Sequence, residues 1–521
     1  MTFDDVVVLT GQFGRYQWRI YFLLCLPVIS VAFHSMSGVF LGAEPDFRCL
    51  LSDESSQNAT FQLPPDFMDT VYPWDSQTGS WSQCEKYVNF TDAETMNSTS
   101  TVKCSSFVYD KSIYELTTTT EFNLVCNKSW MRATVDSLLM VGIMLGALIF
   151  GGLSDKFGRK TAFLSAIVIN VISGFLLAAT PEVVSYMIVR LILGTSVNAI
   201  FLIAYIMAVE MVGPSHRNTI GVIVQLFSST GVILTSVIAY FIRHWRYLQI
   251  AVTAPSVAFL TYWWLIPESA RWLLSMGYVK EAKTLLLEAS SKNGITLSKE
   301  QLDNMLSDTI ASNSAQNLEK HSVLDLMRYP NLRRRSLLLF VNWYVNNMTY
   351  YGLSWNTSNL AGNDYLNFAI SGLVEVPAHI LVYFVSDWWG RKPILCGCML
   401  LAGISLLLST LVPDDMQWLV ILLTMLGKLS ITASYETMYI ISAEQYPTVI
   451  RNVGVGACST CARIGGATAP YILYTANIWK SLPVVIFGSL AFIFGLSTIL
   501  LPETLNKKLP ETIQEGEEFG K

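Results

Sequence analysis

Several long apolar stretches of the 521-residue chain carry ionisable side chains in their interiors. Glu375, Glu436 and Arg463 lie within three such stretches, and His34 and His379 are two further examples. A charge at the centre of a lipid bilayer costs about 2.5–3.5 kcal/mol or more, so it should face a cavity, a partner or a bound ion. Carboxylates in such a cavity could hold an organic cation, and a guanidinium could hold an anionic group.

Aromatic residues occur in two of the apolar stretches at helical spacing. Tyr350 and Tyr351 follow Trp343 by seven and eight residues, which places the three rings on one helical face, and Phe201 and Tyr205 are four residues apart. A desolvated cation over an aromatic face gains about 2 kcal/mol. Packing in the protein interior is the alternative role for each ring.

The composition indicates that the apolar stretches cross a membrane. Hydrophobic residues make up 52% of the chain and charged residues only 14%, whereas soluble domains average about 25% charged residues. A helix of about 20 apolar residues crosses about 30 Å of hydrocarbon. We predict an all-α membrane protein with twelve transmembrane helices, at about 18–42, 131–153, 161–180, 184–208, 218–241, 247–266, 336–355, 364–385, 393–412, 416–440, 449–475 and 482–501. Runs three, six, nine and twelve contain no ionisable residue. In the two-half fold that the repeated motifs below indicate, these four are the outer helices, so the charges fall where a central cavity is expected.

Repeated motifs divide the twelve runs into two related halves. The motif Asp155-x-x-Gly158-Arg159-Lys160 returns as Asp387-x-x-Gly390-Arg391-Lys392. The pair Glu210 and Arg217 returns as Glu444 and Arg451, and the sequence PES at 267–269 returns as PET at 502–504. Offsets of 232 to 235 residues in the same order indicate duplication. Two parallel six-helix halves, with a substrate between them near the midplane, are typical of the major facilitator fold.

The charged motifs predict a gating network. Asp155 and Asp387 follow a span, where each carboxylate can pair with an arginine and meet the positive N-terminus of a neighbouring helix. Gly158 and Gly390 permit a tight turn. Such a network could close in one conformation and break in another; the alternative is that these residues only anchor the topology.

The loops indicate which side of the membrane each segment occupies. Short loops after spans two, four, eight and ten are basic, which predicts that these loops and both termini are cytoplasmic. The segment between the first two spans has four cysteines and four glycosylation sequons, both typical of an extracellular, oxidising side. We predict two disulfides, in any of three connectivities, and four glycosylation sites: Cys49, Cys84, Cys104 and Cys126; Asn58, Asn89, Asn97 and Asn127.

The predicted organisation therefore alternates membrane segments with two long connections. In chain order it comprises a cytoplasmic N-terminus (1–17), helix 1 (18–42), an extracellular loop (43–130), helices 2–6 (131–267), a cytoplasmic helical loop (268–335), helices 7–12 (336–502) and a cytoplasmic C-terminus (503–521).

The chain resembles the organic cation, carnitine and organic anion transporters of the major facilitator superfamily, especially the organic cation branch. The matching stretches run along nearly the whole chain: FLGAEPDFRC (40–49), TEFNLVC (120–126), GGLSDKFGRK (151–160), YFIRHWRYLQ (240–249), IPESARWLL (266–274) and AEQYPTVIRN (443–452). The resemblance implies an aromatic cation site drawn from spans four and seven, to which Trp343, Tyr350, Phe201 and Tyr205 are similar. Gln225 resembles a cavity glutamine of the family.

The same resemblance gives mixed indications about substrate charge. Glu375 and Glu436 resemble acidic positions of the cation branch, whereas Arg463 stands where typical cation members have aspartate and anion and carnitine members have arginine. His34 is similar to a histidine of the anion branch, and His379 replaces a basic residue found there. Arg463 could instead pair with Glu436 or Glu375 and never contact a ligand.

We therefore expect a plasma-membrane transporter of small organic cations or zwitterions that works by alternating access, in contact with membrane lipid. Organic anion transport, ion-coupled carnitine-like transport and a non-transporting receptor on the same scaffold are the alternatives. The sequence has no phosphate-binding loop, no histidine or cysteine cluster with metal-ligand spacing and no nucleic-acid-binding pattern, so we expect no enzyme activity, cofactor or metal. It gives no indication of the oligomeric state.

Overall fold

Long helices dominate the computed structural model, which describes residues 3–51, 54, 59–75, 80–87, 101–296, 298, 300–306 and 322–519. Within these ranges twelve helices have the order predicted for two six-helix halves. They are α1 (Arg15–Met36), α2 (Ser129–Phe157), α3 (Arg159–Ala178), α4 (Val183–Met211), α5 (Arg217–Phe241), α6 (Trp245–Ala258, prolonged through Phe259–Thr261 to Tyr262–Leu265), α7 (Pro330–Trp355), α8 (Asp364–Trp389), α9 (Arg391–Ser409), α10 (Gln417–Gln445), α11 (Arg451–Tyr474) and α12 (Leu482–Ser497).

Short helices and turns connect the long ones. The short α-helices are Phe3–Leu9, Gly38–Leu41, Pro65–Val71, Thr118–Glu121, Ala270–Ser275, Val279–Lys292, Val323–Arg328 and Ile513–Glu518. The remaining single turns are Cys126–Lys128, Pro214–His216, Asn356–Asn359, Asp414–Met416, Thr475–Asn477 and Thr498–Leu500.

The predicted span boundaries are close to the observed ones but too short at polar ends. α1 begins at Arg15 rather than at residue 18, and α7 begins at Pro330 rather than at 336. Hydropathy marks the part of a helix that lies in lipid, whereas backbone hydrogen bonding continues through polar residues beyond it. For α9 the predicted span is too long, since the helix ends at Ser409 rather than at 412.

Helix packing repeats between the halves. In the first half α1 packs on α4, α5 and α6, while α4 packs on α2 and α3; in the second half the corresponding contacts are α7 on α10, α11 and α12, and α10 on α8 and α9. In the described part of the chain, the halves meet mainly along two helix pairs, α2 with α11 and α5 with α8. Helices α3, α6, α9 and α12 take no part in these two pairs, as predicted for outer helices.

Two helices are more polar than the others. By length and composition, ten helices of the described chain are apolar enough to cross a membrane, and α7 and α11 are not among them. α7 buries three asparagines, Asn342, Asn346 and Asn347, against its neighbours. α11 approaches α7 closely at Gly465, where a Cβ atom would collide with the Tyr344 carbonyl, so small residues allow the two backbones to meet.

The described residues between 43 and 128 form a cap on one end of the bundle, here called the disulfide side. Its described strands pair antiparallel: β1 (Phe47–Cys49) with β6 (Phe107–Tyr109), β2 (Trp74–Asp75) with β3 (Ser80–Trp81), and β4 (Glu85–Tyr87) with β5 (Thr101–Lys103). Of the three possible connectivities, the structure forms Cys49–Cys104 and Cys84–Cys126. Asn127 is exposed, whereas Asn58, Asn89 and Asn97 lie outside the described residues.

The cap is held to the first half by ion pairs and to the second half by tyrosines. Glu121 pairs with Arg246 at 2.6 Å and accepts a hydrogen bond from Trp245. On the other half, the Tyr114 hydroxyl donates to Asp364 at 2.8 Å, and the Tyr365 hydroxyl donates to the Ile113 carbonyl.

Both ends of the described chain and the long middle segment lie together at the opposite end, here called the charged side. The N-terminal helix Phe3–Leu9 packs its Phe3, Val6 and Val7 against Leu286 and Leu302 of the middle segment. The end of the described chain packs on the second half, where the Arg335 guanidinium donates to the Gly516 carbonyl.

Candidate functional site

Five side chains form a continuous line of polar contacts between the halves, here called the polar row: Lys428, Glu375, Ser229, His379 and Glu436. Lys428 Nζ lies 2.9 Å from Glu375 Oε1. The Ser229 hydroxyl lies 3.2 Å from both Glu375 Oε2 and His379 Nε2. His379 Nδ1 lies 3.2 Å from Glu436 Oε1, an ion-pair distance without the alignment of a hydrogen bond. Ser229 belongs to α5 of the first half, so the row crosses the α5–α8 interface.

Lys428 neutralises the charge of Glu375 at one end of the polar row. Its side chain is 1% exposed, and its ammonium also donates to the Ser354 hydroxyl at 2.5 Å. The same ammonium lies 3.4 Å from the centre of the Tyr350 ring, and the Tyr350 hydroxyl donates to Glu375 at 2.8 Å. The Lys428 ammonium therefore takes the place that a bound cation could occupy between the Glu375 carboxylate and the Tyr350 ring.

A cluster of aromatic rings extends from Tyr350, beside the polar row. Trp343, Tyr350, Tyr351, Tyr435 and Tyr439, here called the tyrosine cluster, form successive edge-to-face and stacked contacts with centroids 4.4 to 5.8 Å apart. Trp343 is fully buried behind Tyr435 and Tyr439, and its indole N–H donates to Ser442. In this conformation the predicted cation-facing tryptophan supports the tyrosines rather than offering an open face.

Arg463 reaches the tyrosine cluster without a carboxylate. Its guanidinium donates to the Tyr435 hydroxyl at 3.3 Å, and Asn347 donates to the same oxygen at 3.0 Å. Within the described residues no Asp or Glu oxygen lies within 4.0 Å of Arg463, because Glu375 pairs with Lys428 and Glu436 with His379. The alternative that Arg463 is neutralised by one of these glutamates is therefore wrong for this conformation.

The first half contributes fewer polar groups to this region. Tyr205 on α4 is 38% exposed and lies within electrostatic range of Glu436, whereas Phe201 is partly buried in the core. Gln225 is half-buried on α5, one turn before Ser229 and on the same face.

His34 lies away from the polar row. It is fully buried near the Asp136–Arg190 pair, and neither of its ring nitrogens contacts a hydrogen-bonding partner among the described residues. The structure thus brings Tyr350, Glu375, His379 and Glu436 together and leaves His34 buried within the first half.

On the charged side, the first half closes a network around Arg159. This arginine lies 2.5 Å from Asp155 and 3.2 Å from Glu210, and Glu210 also accepts from Ser269. Glu268 accepts hydrogen bonds from the backbone N–H groups of Arg159 and Lys160, which open α3.

The second half repeats this network. Arg391 lies 3.1 Å from Asp387 and 3.4 Å from Glu444, and Thr504 donates to Glu444. Glu503 accepts from the N–H groups of Arg391 and Lys392 at the start of α9.

The turns that open α3 and α9 need glycine for two reasons. Gly158 and Gly390 have φ values of +100° and +92°, which disfavour a side chain. A Cβ atom at Gly390 would also lie 2.8 Å from Glu503, and one at Gly158 would collide with Glu268.

The structure corrects the predicted contact at the two helix starts. The carboxylates at the starts of α3 and α9 are Glu268 and Glu503, since Asp155 and Asp387 point into solvent and are 75% and 67% exposed. Arg217 pairs with Asp4 at 2.8 Å. Its counterpart Arg451 contacts only the Tyr446 carbonyl and the Thr448 hydroxyl among the described residues.

Comparisons with known proteins agree with this arrangement. Residues 83–515 match the family model described as "Sugar (and other) transporter". An organic cation transporter protein of Drosophila melanogaster is 49% identical over 100% of this chain and 95% of its own length. The human solute carrier family 22 member 2 is 36% identical over 99% of this chain and 95% of its own length. The chain belongs to the organic cation transporter family, within the sugar (and other) transporters.

Solved structures confirm the fold of this organic cation transporter family member. The xylose transporter XylE from E. coli in an inward-open conformation superposes with a TM-score of 0.65 at 16% identity, covering 97% of this chain and 100% of XylE. The proton:xylose symporter XylE bound to 6-bromo-6-deoxy-D-glucose gives 0.62 at 16% identity, covering 97% and 99%. The predicted major facilitator fold is therefore confirmed, and the chain is a multi-pass membrane transporter rather than an enzyme.

Sequence reasoning about this organic cation transporter family member missed several residues that complete the site. Tyr439 follows Glu436 by three residues and Tyr435 by four, so helical spacing alone could have placed Tyr439 beside the carboxylate and Tyr435 beside Tyr439. Glu268 and Glu503 belong to the repeated PES and PET sequences, which were identified as a repeat without a structural role. Nothing in the sequence marked Ser229 as a site residue, because serines are common in apolar helices.

Proposed function

We propose that this transporter moves small monovalent organic cations and zwitterions across the plasma membrane by alternating access. The proposal rests on Glu436, a carboxylate between the halves that is 17% exposed and whose one ionic partner among the described residues is His379. No lysine or arginine nitrogen of the described chain lies within 4.0 Å of it. An ammonium group would supply the missing charge, and Tyr439, three residues after Glu436 on α10, could offer it aromatic surface.

The charge balance of the polar row supports a monovalent cation. Glu375 resembles Glu436 in sequence context, but Lys428 already neutralises it and covers the Tyr350 ring. One of the two glutamates is therefore filled by the protein, and the other is open to a single positive charge. The names of the organic cation transporters of Drosophila melanogaster agree with this substrate class.

Arg463 extends the proposal to zwitterions. Arg463 donates to the Tyr435 hydroxyl, which also accepts from Asn347, and it has no carboxylate partner in the described part of the chain. Such a guanidinium suits the carboxylate of a substrate whose ammonium group lies at Glu436. The same arginine is the observation that favours the second candidate function, transport of organic anions.

The orientation and driving force follow from the chemistry of the two sides. Disulfides and the exposed sequon at Asn127 support an extracellular disulfide side, and the basic loops support a cytoplasmic charged side that includes both termini. A monovalent cation gains about 2.3 kcal/mol per 100 mV of inside-negative potential, which supports roughly forty-fold accumulation. The substrate gradient and this potential are sufficient to drive uptake.

The charged networks complete the proposal. Each network lies within one half, so we propose that it fixes the ends of its own helices and loosens when those helices rearrange during transport. This role would make Asp155, Gly158, Arg159, Lys160, Glu210 and Arg217, with Asp387, Arg391, Glu444 and Arg451, gating residues.

Uptake of three labelled probes in voltage-clamped cells tests the proposal: tetraethylammonium as cation, carnitine as zwitterion and p-aminohippurate as anion. Glu436→Gln should weaken tetraethylammonium uptake by about 1–3 kcal/mol, or roughly five- to 150-fold in kcat/KM, because it removes a charge about 5 Å from the substrate in a site shielded from water. Glu115→Gln, at an exposed carboxylate of the cap, is the matched control and should leave uptake unchanged.

Arg463→Ala separates the two substrate classes. It should spare tetraethylammonium and impair carnitine, because only carnitine has a carboxylate. If Arg463→Ala abolishes p-aminohippurate uptake while Glu436→Gln leaves every cation untouched, the cation proposal is wrong and organic anion transport takes its place.

A further inference from the structure

We propose that a groove between α1 and α6 on the charged side binds one anionic phospholipid of the cytoplasmic leaflet. The phosphate group of this lipid lies between Arg15 and Arg19, and an acyl chain lies along Phe22 and Leu23. The inference goes beyond the proposed transport and uses only the proposed orientation, in which the charged side is cytoplasmic.

One side of α1 is exposed where the helix begins. Four exposed residues follow one another at intervals of three, one and three, which places them on one helical face: Arg15, Trp18, Arg19 and Phe22. The buried residues of the same turns lie on the opposite face: Gln17, Ile20, Tyr21 and Leu24. The buried face attaches α1 to the first half, and the exposed face is turned toward the surroundings of the bundle.

Hydrogen bonds on α1 fix the direction of this exposed face. Asn293 of the middle segment accepts from the Tyr16 backbone N–H at 3.0 Å and donates to the Gln17 amide oxygen at 2.8 Å. Farther along the helix, the Tyr262 hydroxyl near the end of α6 donates to the Leu23 carbonyl at 2.7 Å. This last contact joins α1 to α6, so the two walls of the groove are held together.

The groove combines positive charge with apolar surface. It has a volume of about 470 Å³ and six lining residues, five from α1 and one from α6: Arg15, Trp18, Arg19, Phe22, Leu23 and Leu265. The two guanidinium groups belong to the first turns of α1, and Phe22 and Leu23 lie one turn farther into the span than Arg19. Charge near the membrane surface and apolar surface below it is the order of groups in a phospholipid.

The two arginines are available to a ligand. Among the described residues, no Asp or Glu oxygen lies within 4.0 Å of the Arg15 or Arg19 guanidinium. Glu288 is neutralised by Lys292 at 2.5 Å, and that ammonium lies 5.6 Å from the centre of the Tyr16 ring. Two guanidinium groups one helical turn apart can bind one phosphate through several charge-assisted hydrogen bonds. A headgroup with a net negative charge balances them better than a choline headgroup, which adds a positive charge.

The cytoplasmic leaflet supplies such headgroups. Its negative surface attracts basic residues close to it, and tryptophan is enriched at the level of the headgroups. Trp18 in the groove and the exposed Trp264, next to Leu265, mark this level on both helices. The alternative is that Arg15 and Arg19 only orient the span, a role that needs positive charge but neither a groove nor a preference among lipids.

Native mass spectrometry of the detergent-purified transporter tests the site by measuring bound lipid. At equal concentrations the protein should retain phosphatidylserine more strongly than phosphatidylcholine. Arg15→Gln combined with Arg19→Gln should weaken phosphatidylserine binding roughly 25-fold, or about five-fold for each arginine. The matched control is Arg333→Gln combined with Arg334→Gln, which removes two exposed arginines at the start of α7, the counterpart of α1 in the second half. This control should leave binding at the groove unchanged.

Two further variants separate a lipid site from a topology anchor. Arg15→Lys combined with Arg19→Lys keeps the positive charges that orient the span, so it should insert normally. It should still weaken phosphatidylserine binding severalfold, because an ammonium lacks the fork of donors that a guanidinium offers to phosphate. Leu265→Trp fills the groove without a change of charge and should prevent retention of the lipid.

A soluble phosphate compound distinguishes the lipid from a free anion. Glycerol 3-phosphate has the phosphate but no acyl chain, so an excess of it should not displace phosphatidylserine. Displacement would assign the groove to a soluble anion and overturn the inference.

The other results that overturn the inference concern selectivity and location. They are equal retention of the two lipids by the wild type, unchanged phosphatidylserine binding in either double arginine variant of α1, and full retention in Leu265→Trp. None of them bears on cation uptake, so a failure of the lipid site is distinguishable from a failure of the proposed function.

Discussion

The Glu503→Gln substitution tests the helix-end contacts that repeat in both halves. The Glu503 carboxylate accepts four backbone N–H groups: Arg391 and Lys392 at the start of α9, and Thr504 and Leu505 in its own loop, at 2.9 to 3.1 Å. Burial disfavours its charge, but these donors outweigh burial and lower the pKa of Glu503 below the usual glutamate value.

The size of the effect follows from these bonds. Glutamine keeps one carbonyl oxygen, but its amide group faces the Lys392 N–H, so one bond is lost and the others lose the help of the negative charge. A hydrogen bond to a charged group contributes about 1.5–3 kcal/mol, and a carboxylate at a helix N-terminus about 0.3–1 kcal/mol. We expect a loss of about 2–4 kcal/mol. If each half unfolds as a unit of about 250 residues, the melting temperature should fall by about 4–8 °C.

Thermal unfolding of the detergent-purified transporter measures this loss. A thiol-reactive fluorogenic dye is suitable because Cys458, in the second half, is buried until unfolding. Glu518→Gln, at an exposed glutamate near the end of the described chain, is the matched control. Because the pKa of Glu503 is lower in the folded state, its stabilisation is present above the unfolded value of about 4.3 and is lost as the pH falls through the folded value. The difference between variant and wild type should therefore shrink in acid. Equal melting temperatures at neutral pH would refute the reasoning.

Three further predictions concern the cap, the gating network and the cap-to-bundle contact. Thiol labelling of the denatured, unreduced protein should detect five of the nine cysteines, since four form disulfides, and glycosidase treatment should increase the mobility of surface protein; labelling of all nine would contradict the cap. Arg159→Ala, which removes the contacts to both Asp155 and Glu210, should slow turnover at matched surface levels more than Asp155→Asn, because Asp155 is 75% exposed; equal turnover in both variants and the wild type would leave these residues as topology anchors. Tyr114→Phe removes one hydrogen bond between the cap and the second half, worth about 1 kcal/mol. The rate at which a protease cleaves the cap should therefore rise severalfold, with or without substrate; an unchanged rate would show that this contact does not hold the cap.

The repeat made the fold predictable from the sequence. Motifs at a constant offset require equivalent helices to have equivalent neighbours, and the helix contacts do repeat between the halves. These features depend on periodicity and polarity, which a single sequence contains.

Side-chain partners were less predictable, because they depend on helix rotation and strand register. Lys428 and Glu375 are 53 residues apart on different helices, and nothing in the sequence indicates that the lysine ammonium would lie over the face of the Tyr350 ring. Helical spacing placed Trp343 on the same face as Tyr350 but could not show that Tyr439 covers it at 4.4 Å. The disulfide pairing needed the fold of the cap, including the register of β1 against β6.

The polarity of α7 and α11 has a consequence for how the protein is made. A helix that enters lipid alone must offer an apolar surface on all sides, and α7 instead carries Asn342, Asn346 and Asn347. Its main partner, α11, is synthesised about 100 residues later, and α11 is also among the more polar helices. We therefore expect nascent α7 to remain beside the insertion machinery until α11 has been synthesised, and the helices of the second half to enter the lipid together. Substitutions that make α7 still more polar should reduce the yield of inserted protein before they alter transport.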